Sequence, residues 1–379
     1  YYMSHLCNEN KAFQKNYELY INDSIGFNND FIRLRNQIDY SIFNKCHSSD
    51  IEIGKDNYLV ATTHLDAALG KTKKTAQQLD TIIKSLVFLN DTLQKLNKKL
   101  TVVFAPSKGS YCLDKAPDWY DTGKKGESDY EYLSRNLKNT TVKTIDFNNW
   151  FLQQKQTTKH KLYTRTGVHW SIYGATLAAD SMFRFMEKNS NIQLRNLNMS
   201  KSEKSDTTRF MDGDLADALN LFWCVKDSGL SYPIYDYENV PKSDRKVLIL
   251  TDSYFYSFAN MFHETFNEYS FWYYNTTIYS SGPNNGKNVS DINIPEEIMK
   301  QDEFILIATQ STVGEIGWGF LDDAVSHFRK NPKMEYYINK IKADPAWYAQ
   351  ILEQAKKNKL TVQRQLEDDA RYLIGLEKK

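Results

Sequence analysis

Three short stretches of this chain are built almost wholly from aliphatic and aromatic residues: Leu100–Ala105, Lys246–Thr251 and Phe304–Thr309. A strand with one face in water alternates polar and apolar side chains, whereas a run without alternation has both faces covered. These runs therefore belong inside a sheet with helices on either side. Tyr58–Thr62 and Thr141–Ile145 are further strand candidates. Between Tyr58–Thr62 and Leu100–Ala105 lies Lys74–Lys98, where Leu79, Ile82, Ile83, Leu86, Leu89, Leu93 and Leu96 recur at helical spacing and give the helix one apolar face to lay on a sheet. Ser171–Glu187 and Phe255–Phe266 are further helix candidates. Strand–helix alternation of this kind predicts an α/β fold, a three-layer α/β/α sandwich around a mostly parallel sheet.

Asp114–Asp129, Asn198–Thr208 and Tyr279–Asn288 are polar and rich in turn-forming residues, so they are expected to be surface loops. From about Asp344 the chain becomes helical and charge-mixed, with Trp347, Ile351, Leu366 and Leu373 as docking residues. The expected division is one large domain over 1–343 and a helical extension over 344–379. Four widely spaced cysteines, Cys7, Cys46, Cys112 and Cys224, show no metal-ligand spacing and are expected to be buried free thiols. The longest apolar runs fall far short of the ~20 residues a membrane helix needs. The chain opens Tyr1-Tyr2 without an initiator Met, and the expectation is that a signal peptide or anchor has been removed from it.

With 48 basic and 47 acidic residues the net charge is +1. A balance this even lacks the positive excess that drives phosphate binding, so nucleic acid is excluded as the expected partner. The 25 Tyr, 20 Phe and 7 Trp provide enough apolar area to exclude a disordered chain.

Ligands of open α/β sheets bind outside the carboxyl ends of the strands. The run Lys246–Phe255 brings Thr251-Asp252-Ser253 to such an end, just ahead of a helix. Ser253 then presents its hydroxyl at a strand-to-helix turn, where backbone amides can stabilise an oxyanion; the plain alternative is an N-cap. The second candidate is His169, in Tyr163-Thr-Arg-Thr-Gly-Val-His-Trp-Ser-Ile-Tyr-Gly174. An imidazole is the base a serine nucleophile needs at neutral pH. Lys108, at the end of another strand, is a candidate substrate contact. Trp170 and the aromatic patch Phe271–Tyr274 are candidate sugar-stacking surfaces, and Arg165 and Tyr173 flank the histidine. Asp212-Gly-Asp-Leu-Ala-Asp217 is acidic but lacks the alternating carboxylates of a calcium loop, so no metal site is expected.

These residues carry a resemblance. Thr166–Trp170 followed by Tyr173-Gly174, with Thr251-Asp-Ser253 downstream, resembles SGNH-hydrolase-like proteins of the alginate O-acetyltransferase type. Ile25-Gly26-Phe27 with Phe31-Ile-Arg-Leu and Asn36, Ile53-Gly-Lys-Asp-Asn-Tyr-Leu59, and Ala105-Pro-Ser-Lys108 are similar to further family segments, in the same order over residues 17–320. His precedes Ser, as in the alginate-acetylation branch and unlike ordinary SGNH esterases. The resemblance implies an SGNH-like fold in the bacterial periplasm or cell envelope. It also implies O-acetyl transfer to an exopolysaccharide by Ser253 and His169, with an acetyl donor, envelope-complex partner proteins and no cofactor. Alternatives left open are a carbohydrate esterase and a non-catalytic polysaccharide-binding or assembly protein.

Two departures bear on these alternatives. The family motif reads Asp-x-His-Trp, and Gly167 stands at the Asp position. That acid orients the imidazole and stabilises its charged form, and its loss can cost on the order of 10⁴ in turnover unless a carbonyl or a carboxylate from elsewhere takes its place. The nucleophile block reads Thr251-Asp-Ser where the family has Gly-Asp-Ser, and Asp252 is expected to brace the turn. The near-zero charge disfavours long-range capture of a heavily anionic polymer, so the expected glycan is neutral or mildly charged.

Overall fold

A computed structural model describes residues 13–16, 27–329 and 332–376. Its strands run β1 Ile51–Ile53, β2 Leu59–Ala61, β3 Lys99–Ala105, β4 Lys143–Asp146, β5 Leu197–Ser205, β6 Leu230–Tyr237, β7 Val247–Thr251, β8 Tyr269–Tyr273, β9 Thr277–Ser280 and β10 Glu303–Thr309. Six of them form the central sheet in the order β4-β3-β10-β7-β8-β9. All neighbours in it pair parallel except β8 and β9, which form an antiparallel hairpin.

The two-faced burial expected of the apolar runs is what the sheet shows. Every residue of β7 and β10 is buried, and all of β3 after Lys99. Side chains alternate across a strand, so Val102 and Phe104 join Leu250 and Leu306 on one face, and Val103 and Ala105 join Ile249 and Ile307 on the other. The first face is covered by the helices Ala76–Lys95, Asp129–Leu137 and Phe320–Phe328, through Leu79, Leu86, Leu133 and Phe320. The second is covered by Phe147–Gln154, Ile172–Ser190 and Ala259–Thr265, through Phe151, Phe183 and Phe262. Helix Ala76–Lys95 starts where Thr75 and Gln78 form a reciprocal capping box, which satisfies amides the first turn would leave unpaired. The fold is thus an α/β/α sandwich with a mostly parallel sheet.

Two expectations need correction. Asn198–Thr208 is mostly strand: β5 pairs antiparallel with β6, with a register shift between Met199 and Lys201. Its side chains after Leu197 are largely exposed, so it carries no apolar alternation to read. Of the cysteines, Cys112 is buried and Cys46 half-buried, but Cys224 is exposed. Cys7 and the Ile25-Gly26 segment lie outside the described residues.

At the C-terminus the helices Pro332–Ala343, Pro345–Asn358 and Val362–Leu376 share a small core of Ile341, Ile351 and Leu366, flanked by Trp347 and Leu373. Arg364 and Arg371 tie this unit to Asp323 on helix Phe320–Phe328. Among the described residues no helix is long and apolar enough to cross a membrane.

Candidate active site

β7 lies between β10 and β8, and its carboxyl end leads into the one-turn helix Ser253–Ser257. Asp252 shapes this turn. Its Oδ1 accepts from the Tyr254 amide at 3.1 Å. Its Oδ2 accepts from the Thr309 amide at 2.9 Å and the Thr312 hydroxyl at 2.7 Å, which ties the turn to the end of β10. Thr251 is fully buried and donates its hydroxyl to the Asp252 carbonyl, so its extra bulk is absorbed by the core. Ser253 is half-buried.

His169 reaches this serine from the loop ahead of helix Ile172–Ser190, whose first turn is capped by Ser171. The imidazole is almost fully buried. Its Nε2 lies 2.7 Å from Ser253 Oγ and its Nδ1 2.5 Å from Asp214 Oδ2. A serine hydroxyl donating to Nε2 and an Nδ1–H donating to a carboxylate is the tautomer this pairing requires. Asp214 opens the short helix Asp214–Ala218, and its Oδ1 accepts from the amides of Val168 and Leu215, both at 2.8 Å. One carboxylate oxygen is therefore fixed by backbone, and the other is aimed at the imidazole.

Gly167 explains how that acid arrives. A Cβ at position 167 would lie 2.6 Å from the Met211 carbonyl oxygen and 3.0 Å from Asp212 backbone atoms. The space an Asp side chain would need is filled by the segment that carries Asp214. That segment is laced to the histidine loop along its length. The Asp212 carbonyl accepts from Thr164 Oγ1 at 2.7 Å and Thr166 Oγ1 at 2.9 Å, and Ala216 N–H donates to the Thr166 carbonyl at 3.0 Å. The Asp212 carboxylate accepts from the Ile172 amide at 2.9 Å, and burial pushes its pKa up to about 7.

Asp214 was not among the residues singled out from the sequence. The only signal for it was the acidic stretch Asp212–Asp217, weighed there as a metal loop. Histidine and acid lie 45 positions apart, so no local spacing joins them.

Two of the four candidate substrate contacts, Lys108 and Trp170, are buried and do not face a substrate. Lys108 is 1% exposed, and its Nζ donates to the carbonyls of Gly167 at 2.6 Å and Arg165 at 3.1 Å. It braces the histidine loop from behind, and desolvation lowers its pKa to about 8. Trp170 has no exposed face for a sugar: it packs among Phe147, Phe151, Tyr254 and Phe258. Arg165 is held by the buried Asp227 and the Lys226 carbonyl, and Tyr173 packs on His160 at 4.3 Å. Phe271 and Trp272 of the aromatic patch are buried within β8, while Tyr273 and Tyr274 are half-buried.

A histidine set aside for want of ligand spacing does lie close to this serine turn. His64 sits between Ser107 Oγ at 3.3 Å and Ser311 Oγ at 3.4 Å, with its ring stacked on Tyr254, the residue after Ser253. Burial, reinforced by the neighbouring His169, lowers its pKa to about 4, so it is a neutral group at physiological pH.

A family model described as the SGNH hydrolase-like domain of acetyltransferase AlgX matches residues 51–254, more than half the chain. That span contains His169, Asp214 and Ser253. Similar solved structures include the O-acetyltransferase domain of Pseudomonas putida AlgJ, at 14% identity and TM-score 0.47, covering 73% of this chain and 99% of that one. Bacillus cereus PatB1 matches at 14% identity and TM-score 0.43, over 69% and 96%. Pseudomonas aeruginosa AlgX matches at 15% identity and TM-score 0.44, over 73% and 68%. No curated protein matches. On the match over residues 51–254, this chain belongs to the family of the SGNH hydrolase-like domain of acetyltransferase AlgX.

Proposed function

We propose that the chain transfers acetyl groups to hydroxyls of a carbohydrate polymer through a Ser253–His169–Asp214 triad. The observation that carries this reading is the continuous line from Asp214 Oδ2 through His169 to Ser253 Oγ, with contacts of 2.5 and 2.7 Å. The serine and the carboxylate thus both stand within hydrogen-bond reach of the imidazole, one at each ring nitrogen. In this reading Ser253 attacks the carbonyl of an acetyl donor while His169 takes its proton. Asp214 stabilises the imidazolium as charge forms. The imidazolium hands that proton to the donor's leaving group; neutral again, His169 takes the proton of a sugar hydroxyl as it attacks the serine ester, and returns it to Ser253 Oγ as the acetyl group departs. The presence of Asp214 speaks against the view that the change at Gly167 leaves a non-catalytic binding protein.

Acetyl-ester turnover tests this, with and without an oligosaccharide acceptor, for the native chain, Ser253→Ala, His169→Ala and Asp214→Asn. The first two variants should lose nearly all turnover, and Asp214→Asn on the order of 10⁴-fold. Acetyl transfer to the acceptor separates a transferase from an esterase. Undiminished turnover in Ser253→Ala would end the nucleophile assignment.

A further inference from the structure

Ser253 and His169 are joined by one side-chain hydrogen bond, between Oγ and Nε2 at 2.7 Å. That bond cannot last through an acetyl transfer. Once Oγ carries an acetyl group it has no hydrogen to give, and Nε2 loses this partner for the life of the serine ester. The second half of the reaction still needs the imidazole in the same place, within reach of the incoming hydroxyl and of Oγ. A contact that survives acetylation is needed to keep the base in register with the nucleophile.

Tyr254, the residue after Ser253, makes such a contact. Its hydroxyl donates to the carbonyl of Val168, the residue before His169, at 2.8 Å. Residues 253–254 and 168–169 are thus bonded twice, once through serine and imidazole and once through tyrosine and carbonyl. The two bonds and the intervening chain close a ring, and acetylation opens only the first. Both ends of the second bond are themselves fixed. Tyr254 N–H donates to Asp252 Oδ1 at 3.1 Å, and Val168 N–H donates to Asp214 Oδ1 at 2.8 Å. The buried Tyr254 ring lies 4.7 Å from that of His169 and 5.5 Å from that of Trp170. Phenylalanine would keep those ring contacts. It would remove the hydroxyl that the Val168 carbonyl accepts from, and that the Tyr163 hydroxyl meets at 3.4 Å.

We propose that Tyr254 is a positioning residue that holds His169 in register with Ser253 while the serine is acetylated, so that its hydroxyl governs release of the acetyl group and not its capture. The proposal rests on the reading of Ser253 as nucleophile and His169 as base. In capture, Oγ bonds to the donor's carbonyl carbon and the serine proton passes through His169 to the departing oxygen. The bond between Oγ and Nε2 helps to align the pair at this stage. In release, the oxygen of a sugar hydroxyl or of water bonds to the acetyl carbon as its proton passes to Nε2. The bond from Oγ to that carbon breaks, and the proton returns to Oγ. Here Asp214 orients the ring through Nδ1, and the Tyr254 tether relates it to the turn that carries the serine. Tyr254 keeps its own proton throughout.

The test is Tyr254→Phe in the full chain, with 4-nitrophenyl acetate as donor and water as acceptor. The initial burst of 4-nitrophenolate reads capture, and decay of the acetylated protein, followed by intact mass, reads release. Capture should stay within about twofold of native while release slows by about tenfold, inside the ~10²-fold that a misplaced group can cost. With release limiting, kcat and KM then fall together and kcat/KM is kept, a split that general loosening of the fold would not produce. Replacement of Tyr254 by 4-aminophenylalanine, which brings an N–H to the same carbonyl, should restore native release. A Tyr254→Phe variant in which both steps slow alike, or in which release is native, overturns the proposal, as does slow release with 4-aminophenylalanine. Should Tyr254→Phe not fold, the 4-aminophenylalanine protein decides alone by the same reading. A burst that survives Ser253→Ala overturns the nucleophile reading and this one with it. No burst in Ser253→Ala beside native release in Tyr254→Phe overturns the tyrosine's role alone.

Discussion

Putting an acid back at position 167 should damage the protein, although the family motif has aspartate there. The reason is the path of the backbone. A Cβ on residue 167 would lie 2.6 Å from the Met211 carbonyl oxygen, about 0.4 Å inside the 3.0 Å that real Cβ atoms respect. The obstructing atoms are backbone and cannot rotate away. Residues 211–214 must move outward, and Asp214 moves with them. Overpacking of this kind costs about 1–3 kcal/mol, and a displacement near 1 Å at a reacting group can cost about 10²-fold in rate. Gly167→Ala should therefore unfold more easily and lose at least about tenfold in kcat. Gly167→Asp should fare worse, because it adds a second carboxylate beside Asp214. Acetyl-ester kinetics and thermal unfolding of both variants check this. The decisive comparison is Gly167→Asp combined with Asp214→Asn. If that double variant regains turnover lost in Asp214→Asn, position 167 can hold a working acid, and the steric argument is wrong.

Other expectations follow from the same residues. Lys108→Met leaves the carbonyls of Gly167 and Arg165 without their charged donor, which should destabilise the fold by about 1.5–3 kcal/mol; in an Asp214→Asn background it should cost little further turnover, because both changes disable the same imidazole. His64 has a folded pKa of about 4, below its ordinary 6.5. The unfolded chain takes up this proton first on acidification, so the native protein loses stability as pH falls from 6.5 to 4, and the melting temperature of His64→Gln relative to native should rise over that window. Asp212 has the opposite sign: its folded pKa is about 7 against 3.8, so stability falls as pH rises from 3.8 to 7. Asp212→Asn should gain on the native protein over that window, measured by thermal unfolding across pH 4–7.

How much of this was legible beforehand depended on the range of the interaction involved. β3, β7 and β10 could be read because burial on both faces removes alternation, a property of each strand alone. Ser253 and His169 could be read because each stands where one element ends and another begins. The burial of Lys108 and Trp170 could not. A lysine at a strand end looks solvated until a loop some 57 residues further on is known to fold over it and offer its carbonyls. β5 was missed for a related reason: its pairing is carried by backbone, on which the side chains give no information.

The acid at Asp214 belongs with these long-range features and shows why the change at Gly167 is misleading in isolation. Read locally, glycine in place of aspartate is a loss. Read with the fold, it is the condition for the 211–214 segment to approach, since any side chain would meet that segment's backbone. The approach is then held from several sides. Thr164 and Thr166 grip the Asp212 carbonyl, Val168 N–H orients the Asp214 carboxylate, and Lys108 fixes the Gly167 carbonyl from behind. Each of these contacts makes sense only if the others are present. A side chain in place of Gly167 excludes the acid-bearing segment, and without that segment Thr164 and Thr166 would have buried hydroxyls with no acceptor. Groups that depend on one another in this way are expected to respond to mutation as one unit, not as independent sites. The glycine and the distant aspartate are thus two parts of one structural solution, in which the imidazole keeps a carboxylate partner drawn from a different part of the chain.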